Sequence, residues 1–169
     1  KGASGGAAEV STSEPPELTT KQASALSVYS KTMAGTLGDM VGTFLASTST
    51  FNPLRTTPRS SRSTAEIIHG NLVYVTFSHQ GKLRGDTALL FLQEGACRIG
   101  GTMVGDPGAT EFSDMVADAF KEVMSTVLGN FNTVLSGQTG SSVTTSPVHV
   151  EAMTASADNF TSAMNGSEQ

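Results

Sequence analysis

Four residues near position 120 have types and spacing that chemistry can use. Asp118, Glu122, Ser125 and Gly129 fall at i, i+4, i+7 and i+11. In a helix they form one line along the surface: two carboxylates, a hydroxyl and a position with no side chain. An ordinary solvated face produces the same pattern, because charge usually lies on the wet side of a helix. Capping does not explain Glu122, which sits well inside the segment and away from either end. Other chemistries are excluded more firmly. Cys97 stands alone, so there is no disulfide framework and no Cys-based zinc site, and its place on an apolar helix face suits core rather than nucleophile. His69, His79 and His149 have no i, i+4 partner, so a metal site is not expected. No serine lies in a Gly-x-Ser-x-Gly elbow, and the phosphate-loop and dinucleotide fingerprints do not occur. No cofactor is expected.

The elements that must hold this line can be read from periodicity. From Leu18 to about Ser47, Leu26, Tyr29, Met33, Leu37, Met40, Val41, Phe44 and Leu45 recur at helical steps, with Thr19 or Thr20 as N-cap. Gly35, Gly38 and Gly42 share one stripe of that helix, which predicts a close backbone neighbour there. Residues 47–65 are rich in Ser, Thr, Pro and Arg, and read as a solvated edge strand and loop. Within them Arg55, Arg59 and Arg62 form a basic run that an acidic partner could use. Asn71–Ser78 has strong strand propensity, and with the turn at Gln80-Gly81-Lys82 and a second strand over Gly85–Leu92 it predicts an antiparallel hairpin. A short helix from Leu92 to about Val104 stops at Gly105-Asp106-Pro107-Gly108. The second long helix is predicted from about Thr110 to Ser136, with acids crowding its first turns. A loop over Gly137–Thr145 then leads to a short strand, Pro147-Val148-His149-Val150. Gly38–Leu45 can be laid beside Gly129–Ser136, which suggests an internal duplication of roughly 90 residues.

Composition sets the bounds. The chain has 169 residues, enough for one domain with flanking segments. Residues 1–17 read as a disordered arm, 18–153 as the folded domain and 154–169 as a polar tail. Ten Lys and Arg against fifteen Asp and Glu give a formal charge of −5, which argues against nucleic-acid binding. No apolar run of about 18 residues and no charged-then-apolar leader is present. A protein without membrane insertion, resident in the cytoplasm, is the expectation.

Asp118-Ala119-Phe120-Lys121-Glu122-Val123-Met124-Ser125, followed by Gly129-Asn130, resembles the signature helix of the CheC/CheX/FliY family of chemotaxis phosphatases. That signature is Asp or Ser, three residues, Glu, two residues, Asn, and Pro about 20–22 residues later. Asp118, Glu122 and Pro147 fall in register, with 21 residues between Ser125 and Pro147. Gly81–Asp106 resembles the family's hairpin and helix, so the resemblance spans roughly Leu18–Val150. It implies an α+β fold in two layers, in which long helices from a pseudo-repeat pack on a mainly antiparallel sheet. It also implies a role in chemotaxis or flagellar-motor signalling, with a phosphorylated CheY-like response regulator as partner and flagellar switch proteins as further partners. In that family the helix docks on the regulator, its Glu reaches a regulator lysine, and its Asn orients the water that attacks phosphoaspartate. Carried over, Glu122 and Ser125 are the catalytic positions, while Asp118, Glu122, Gly129 and Pro147 form the partner-binding surface.

The chain departs from the pattern at the Asn position, where Ser125 offers a shorter side chain with one donor instead of two. Asn130 is five residues further on, about 140° around the helix, and is a poor substitute. In the first helix the matching positions are Ser27, Lys31 and Ala34, which keep neither Glu nor Asn. The resemblance therefore implies either a phosphatase with a changed active site or a non-catalytic scaffold of the FliM middle-domain kind. A homodimer through a sheet edge is the further expectation, since the second half looks short of strands.

Overall fold

The structure is a computed structural model that describes residues 17–47, 50–51, 68–81, 83–156 and 158–159. The N-terminal arm up to residue 16, the Arg55/Arg59/Arg62 run and the chain beyond 159 lie outside the described residues. In chain order the elements are α1 (Thr20–Phe44), β1 (Asn71–Gly81), β2 (Gly85–Leu92), α2 (Gln93–Met103), α3 (Asp114–Thr139), β3 (Val143–Thr145) and β4 (His149–Thr154). This is the expected α+β arrangement of helices on an antiparallel sheet.

β1 is the central strand. β2 pairs along one side of it, from Leu72↔Leu92 to His79↔Gly85. β3 and β4 share the other side: β3 runs from His79↔Thr145 to Gly81↔Val143, and β4 from Asn71↔Thr154 to Thr76↔His149. Between these two stretches Ser146, Pro147 and Val148 oppose only Phe77 and Ser78, which makes a bulge. The Ser78 amide donates to the Ser146 hydroxyl at 2.9 Å, and the Ser146 amide donates to the Ser78 carbonyl at 2.8 Å. A side-chain oxygen thus replaces a ladder acceptor where Pro147, which has no N–H, breaks the pairing.

This corrects two sequence expectations. Gly137–Thr145 is not all loop, because α3 continues to Thr139 and β3 follows. Pro147 sits in the bulge rather than opening a strand, and β4 starts at His149 and reaches Thr154.

The core lies between one face of β1 and the helices. Val73, Val75 and Phe77 meet Phe120, Val123, Met124, Val127 and Phe131 of α3, with Met33, Leu37 and Val41 of α1 and Ala96 and Ile99 of α2 completing the cluster. Burying each of the larger side chains contributes about 1.5–3 kcal/mol. α1 runs antiparallel to α3, as Thr32 donating to Gln138 (3.1 Å) and Asn130 donating to Met40 (2.9 Å) show. Thr19 caps α1 through a reciprocal pair with Gln22, as the sequence predicts.

A close backbone neighbour was expected along Gly35, Gly38 and Gly42; Gly38 is buried, Gly35 is open, and a backbone-to-backbone helix contact lies at Gly100. A Cβ on Gly35 would meet nothing within 4 Å. A Cβ on Gly100 would collide with the Val116 carbonyl oxygen and crowd the Phe120 Cβ at 3.2 Å, so α2 and α3 touch backbone to backbone. Gly100→Ala should therefore lower stability by at least about 2 kcal/mol, read as a fall in the urea midpoint.

The helix ends offer a prediction of opposite sign. α1 and α2 finish in the same Schellman turn: Ser47 N–H to Gly42 and Ala46 N–H to Thr43 in one, Asp106 N–H to Gly101 and Gly105 N–H to Thr102 in the other. The left-handed position is Gly105 (φ 81°) in α2, where glycine is at ease, but Ala46 (φ 48°) in α1. Ala46→Gly should stabilise the protein by up to about 1 kcal/mol, seen as a rise in Tm, because the strain of alanine in that conformation disappears.

Candidate functional site

α3 presents two opposite faces. Val116, Phe120, Val123, Met124, Val127, Leu128, Phe131 and Leu135 are buried. The turns between them leave Asp118, Glu122, Ser125 and Gly129 exposed as one outward line. Asp118 and Glu122 have no ion-pair partner among the described residues. Their charges are therefore available to an incoming cation.

Ser125 is differently placed. Its hydroxyl donates to the Lys121 carbonyl at 2.8 Å, folded back on the turn before it. Thr126 and Thr133 do the same further along the helix, to Glu122 (3.1 Å) and Gly129 (3.0 Å). A hydroxyl so engaged lies close to the helix backbone, with its one proton spent. Asn130 does not make up for it: its carboxamide donates to the Met40 sulfur at 2.9 Å, toward α1. Gly129 is open, with nothing within 4 Å of where a Cβ would stand. Pro147 is exposed in the bulge of the sheet edge. Two polar links among the described residues join that edge to α3: Asn132 donates to Thr145 at 3.1 Å, one turn beyond Gly129, and the Val143 amide donates to the Ser136 hydroxyl at 2.9 Å. In α1, Lys31 is exposed while Ser27 and Ala34 are half-buried.

No protein-family model and no curated protein matches the sequence. Solved structures do resemble it. Thermotoga maritima FliY superposes with a TM-score of 0.71 at 19% identity, covering 84% of this chain and 72% of that one. The chemotaxis protein CheX from Vibrio vulnificus gives 0.59 at 18% identity, over 76% and 80% of the two chains. A chain of the FliM–SpeE complex from H. pylori gives 0.62 at 16%, over 79% and 71%. The fold is that of the CheC/CheX/FliY family. The match is one of architecture. No helix among the described residues is long and apolar enough to cross a membrane.

One polar cluster of this CheC/CheX/FliY-like domain is absent from the sequence reading. His79, taken there as one of three scattered histidines, is 7% exposed at the inner face of β1. The Tyr29 hydroxyl of α1 bonds both its Nε2 (2.7 Å) and the Thr87 hydroxyl of β2 (2.9 Å). Phe77 and Phe131 pack around the ring, with centroids 5.3 and 6.2 Å away. The available signal was the alternation of β1, which puts His79 on the same face as Val73, Val75 and Phe77.

Burial lowers the His79 pKa from its ordinary value, with Asp86 opposing the shift. The unfolded chain therefore binds a proton that the native state resists. This contribution to stability is complete above about pH 6.5 and is lost as pH falls below it toward the folded value. The urea midpoint should stay level from about pH 8 to 7 and then drop toward pH 5, with a shallower drop in His79→Gln.

Proposed function

We propose that this chain is a chemotaxis or flagellar-switch binding module that docks the outward face of α3 on a phosphorylated CheY-like receiver domain without hydrolysing its phosphoaspartate. The observation that carries the reading is the Ser125 hydroxyl, which is bonded back to Lys121 at the position where a water would have to be placed. Hydrolysis of an acyl phosphate depends on an in-line, oriented water more than on a strong base. A carboxamide can accept from that water and donate to a phosphoryl oxygen at once, whereas a short hydroxyl with its proton engaged cannot.

Docking needs less. Asp118 and Glu122 are exposed, unpaired among the described residues and one turn apart, and a receiver's basic active-site side chain supplies the complementary charge. Gly129 leaves the line open to close approach beyond Ser125. The fold neighbours point to the same setting: one is a chemotaxis protein CheX, another belongs to a FliM–SpeE complex. Flagellar switch proteins are accordingly a second class of partner. Retention of Asp118, Glu122 and Pro147 in register favours the other reading, a phosphatase in which Ser125 places the water.

The lifetime and binding of a phosphorylated CheY-like receiver separate the two. Wild type should bind the receiver and leave its lifetime unchanged, and Glu122→Ala should weaken binding by about tenfold, the loss of roughly 1.4 kcal/mol. Ser125→Asn should shorten the lifetime. A wild-type protein that shortens it, with Glu122→Ala abolishing the effect, would establish the phosphatase instead.

A further inference from the structure

Two buried polar atoms have no hydrogen-bond partner among the described residues, His79 Nδ1 and Asn132 Oδ1. Leaving such an atom unpaired costs about 1–3 kcal/mol, and native proteins rarely leave two in one place. These two share a neighbour. His79 stands directly opposite Thr145 in the β1–β3 pair, and the Asn132 carboxamide donates to the Thr145 hydroxyl at 3.1 Å. Side chains at directly opposed positions lie on one face, with Cβ atoms about 4.5–5.5 Å apart. The imidazole and the carboxamide therefore flank one residue. Phe131, the residue before Asn132, packs on both His79 and Tyr29. Aromatic rings thus separate this corner from bulk solvent.

We propose that one ordered water is bound between His79 Nδ1 and Asn132 Oδ1, and that it locks His79 in the Nδ1–H tautomer. In that tautomer every bond of the cluster has one donor and one acceptor. Asn132 spends its Nδ2 on Thr145, so its Oδ1 must accept. A water donating to that oxygen accepts the Nδ1–H of His79. Nε2 then carries a lone pair and accepts from the Tyr29 hydroxyl, whose oxygen accepts in turn from Thr87. The result is a one-directional chain from β2 through α1 and β1 to α3 and β3. A neutral guest fits, since no described group of three His, Cys, Asp or Glu could hold a metal ion. The water ties the sheet to both long helices at a polar point inside an apolar core.

Long-range proton–nitrogen correlation spectra of the uniformly labelled wild-type protein near pH 7.5 decide the matter. The expected result is a protonated Nδ1, an unprotonated Nε2, and an Overhauser contact between the His79 Hδ1 and a long-lived water. In Asn132→Leu that water contact should vanish and Hδ1 should exchange with solvent at least tenfold faster. Tyr29→Phe should keep the water while Nε2 loses its donor. A His79 protonated at Nε2 would overturn the proposal. So would an Hδ1 without a water contact, or coupling across a direct His79–Asn132 hydrogen bond.

Discussion

The seam between α3 and the inner face of β1 is the contact on which the other features depend. A strand offers alternate residues to one face, and a helix offers residues three and four apart. Val73, Val75 and Phe77 supply the first pattern, and Phe120, Val123, Val127 and Phe131 the second. Once these rows are buried against each other, α3 cannot rotate about its axis without exposing phenyl rings. The positions half a turn away, Asp118, Glu122, Ser125 and Gly129, are then obliged to face outward. The candidate docking line is thus a consequence of core packing, although none of its side chains belongs to the core.

Rotation is one constraint and translation is another. α2 fixes the height of α3 because Gly100 meets the Val116 backbone with no side chain between them. At the other end, Asn132 and Thr145 tie α3 to the edge beyond the bulge. Pro147 affects the helix only through that edge: by interrupting the ladder it shifts the register by one residue between β4 and β3, so that Val148 points into the core while Thr145 faces Asn132. A proline some twenty residues from the docking line therefore has a geometric reason to be there that involves no contact with a partner.

What could be read from the sequence divides along physical lines. The hairpin of β1 and β2 was legible because alternating β-branched and aromatic residues are bounded by turn residues, and the paired register spans Leu72 to His79 as that pattern implies. The outward line on α3 was legible because helical spacing alone places it. β3 was not, since Val143-Thr144-Thr145 lies in a run of small polar residues and is a strand only because β1 offers it a ladder. The glycines were legible only in part, for a similar reason. Gly35, Gly38 and Gly42 form a regular stripe, yet Gly35 meets open space, while Gly100 and Gly101, adjacent and without period, make the close contacts. Spacing along one helix carries no information about which neighbour arrives. His79 was passed over because burial of a lone histidine depends on partners fifty or more residues away, Tyr29 among them.

Binding and hydrolysis make unequal demands on the same helix face. In the proposed docking, recognition by Asp118 and Glu122 acts through charge, which falls off slowly with distance and tolerates side-chain rotation on an exposed surface. Positioning a water for in-line attack tolerates errors well below an ångström and needs a donor and an acceptor fixed together. A Ser125 hydroxyl bonded to Lys121 satisfies neither requirement, because its proton is directed into the helix and its oxygen sits short of the line on which a carboxamide would end. The two carboxylates lose nothing by that change. A domain of this fold can therefore drop the chemical step while keeping its docking face, and the features that hold α3 in place, the β1 seam, the Gly100 contact and the Asn132 tie, serve a binding surface as well as they would serve a catalytic one.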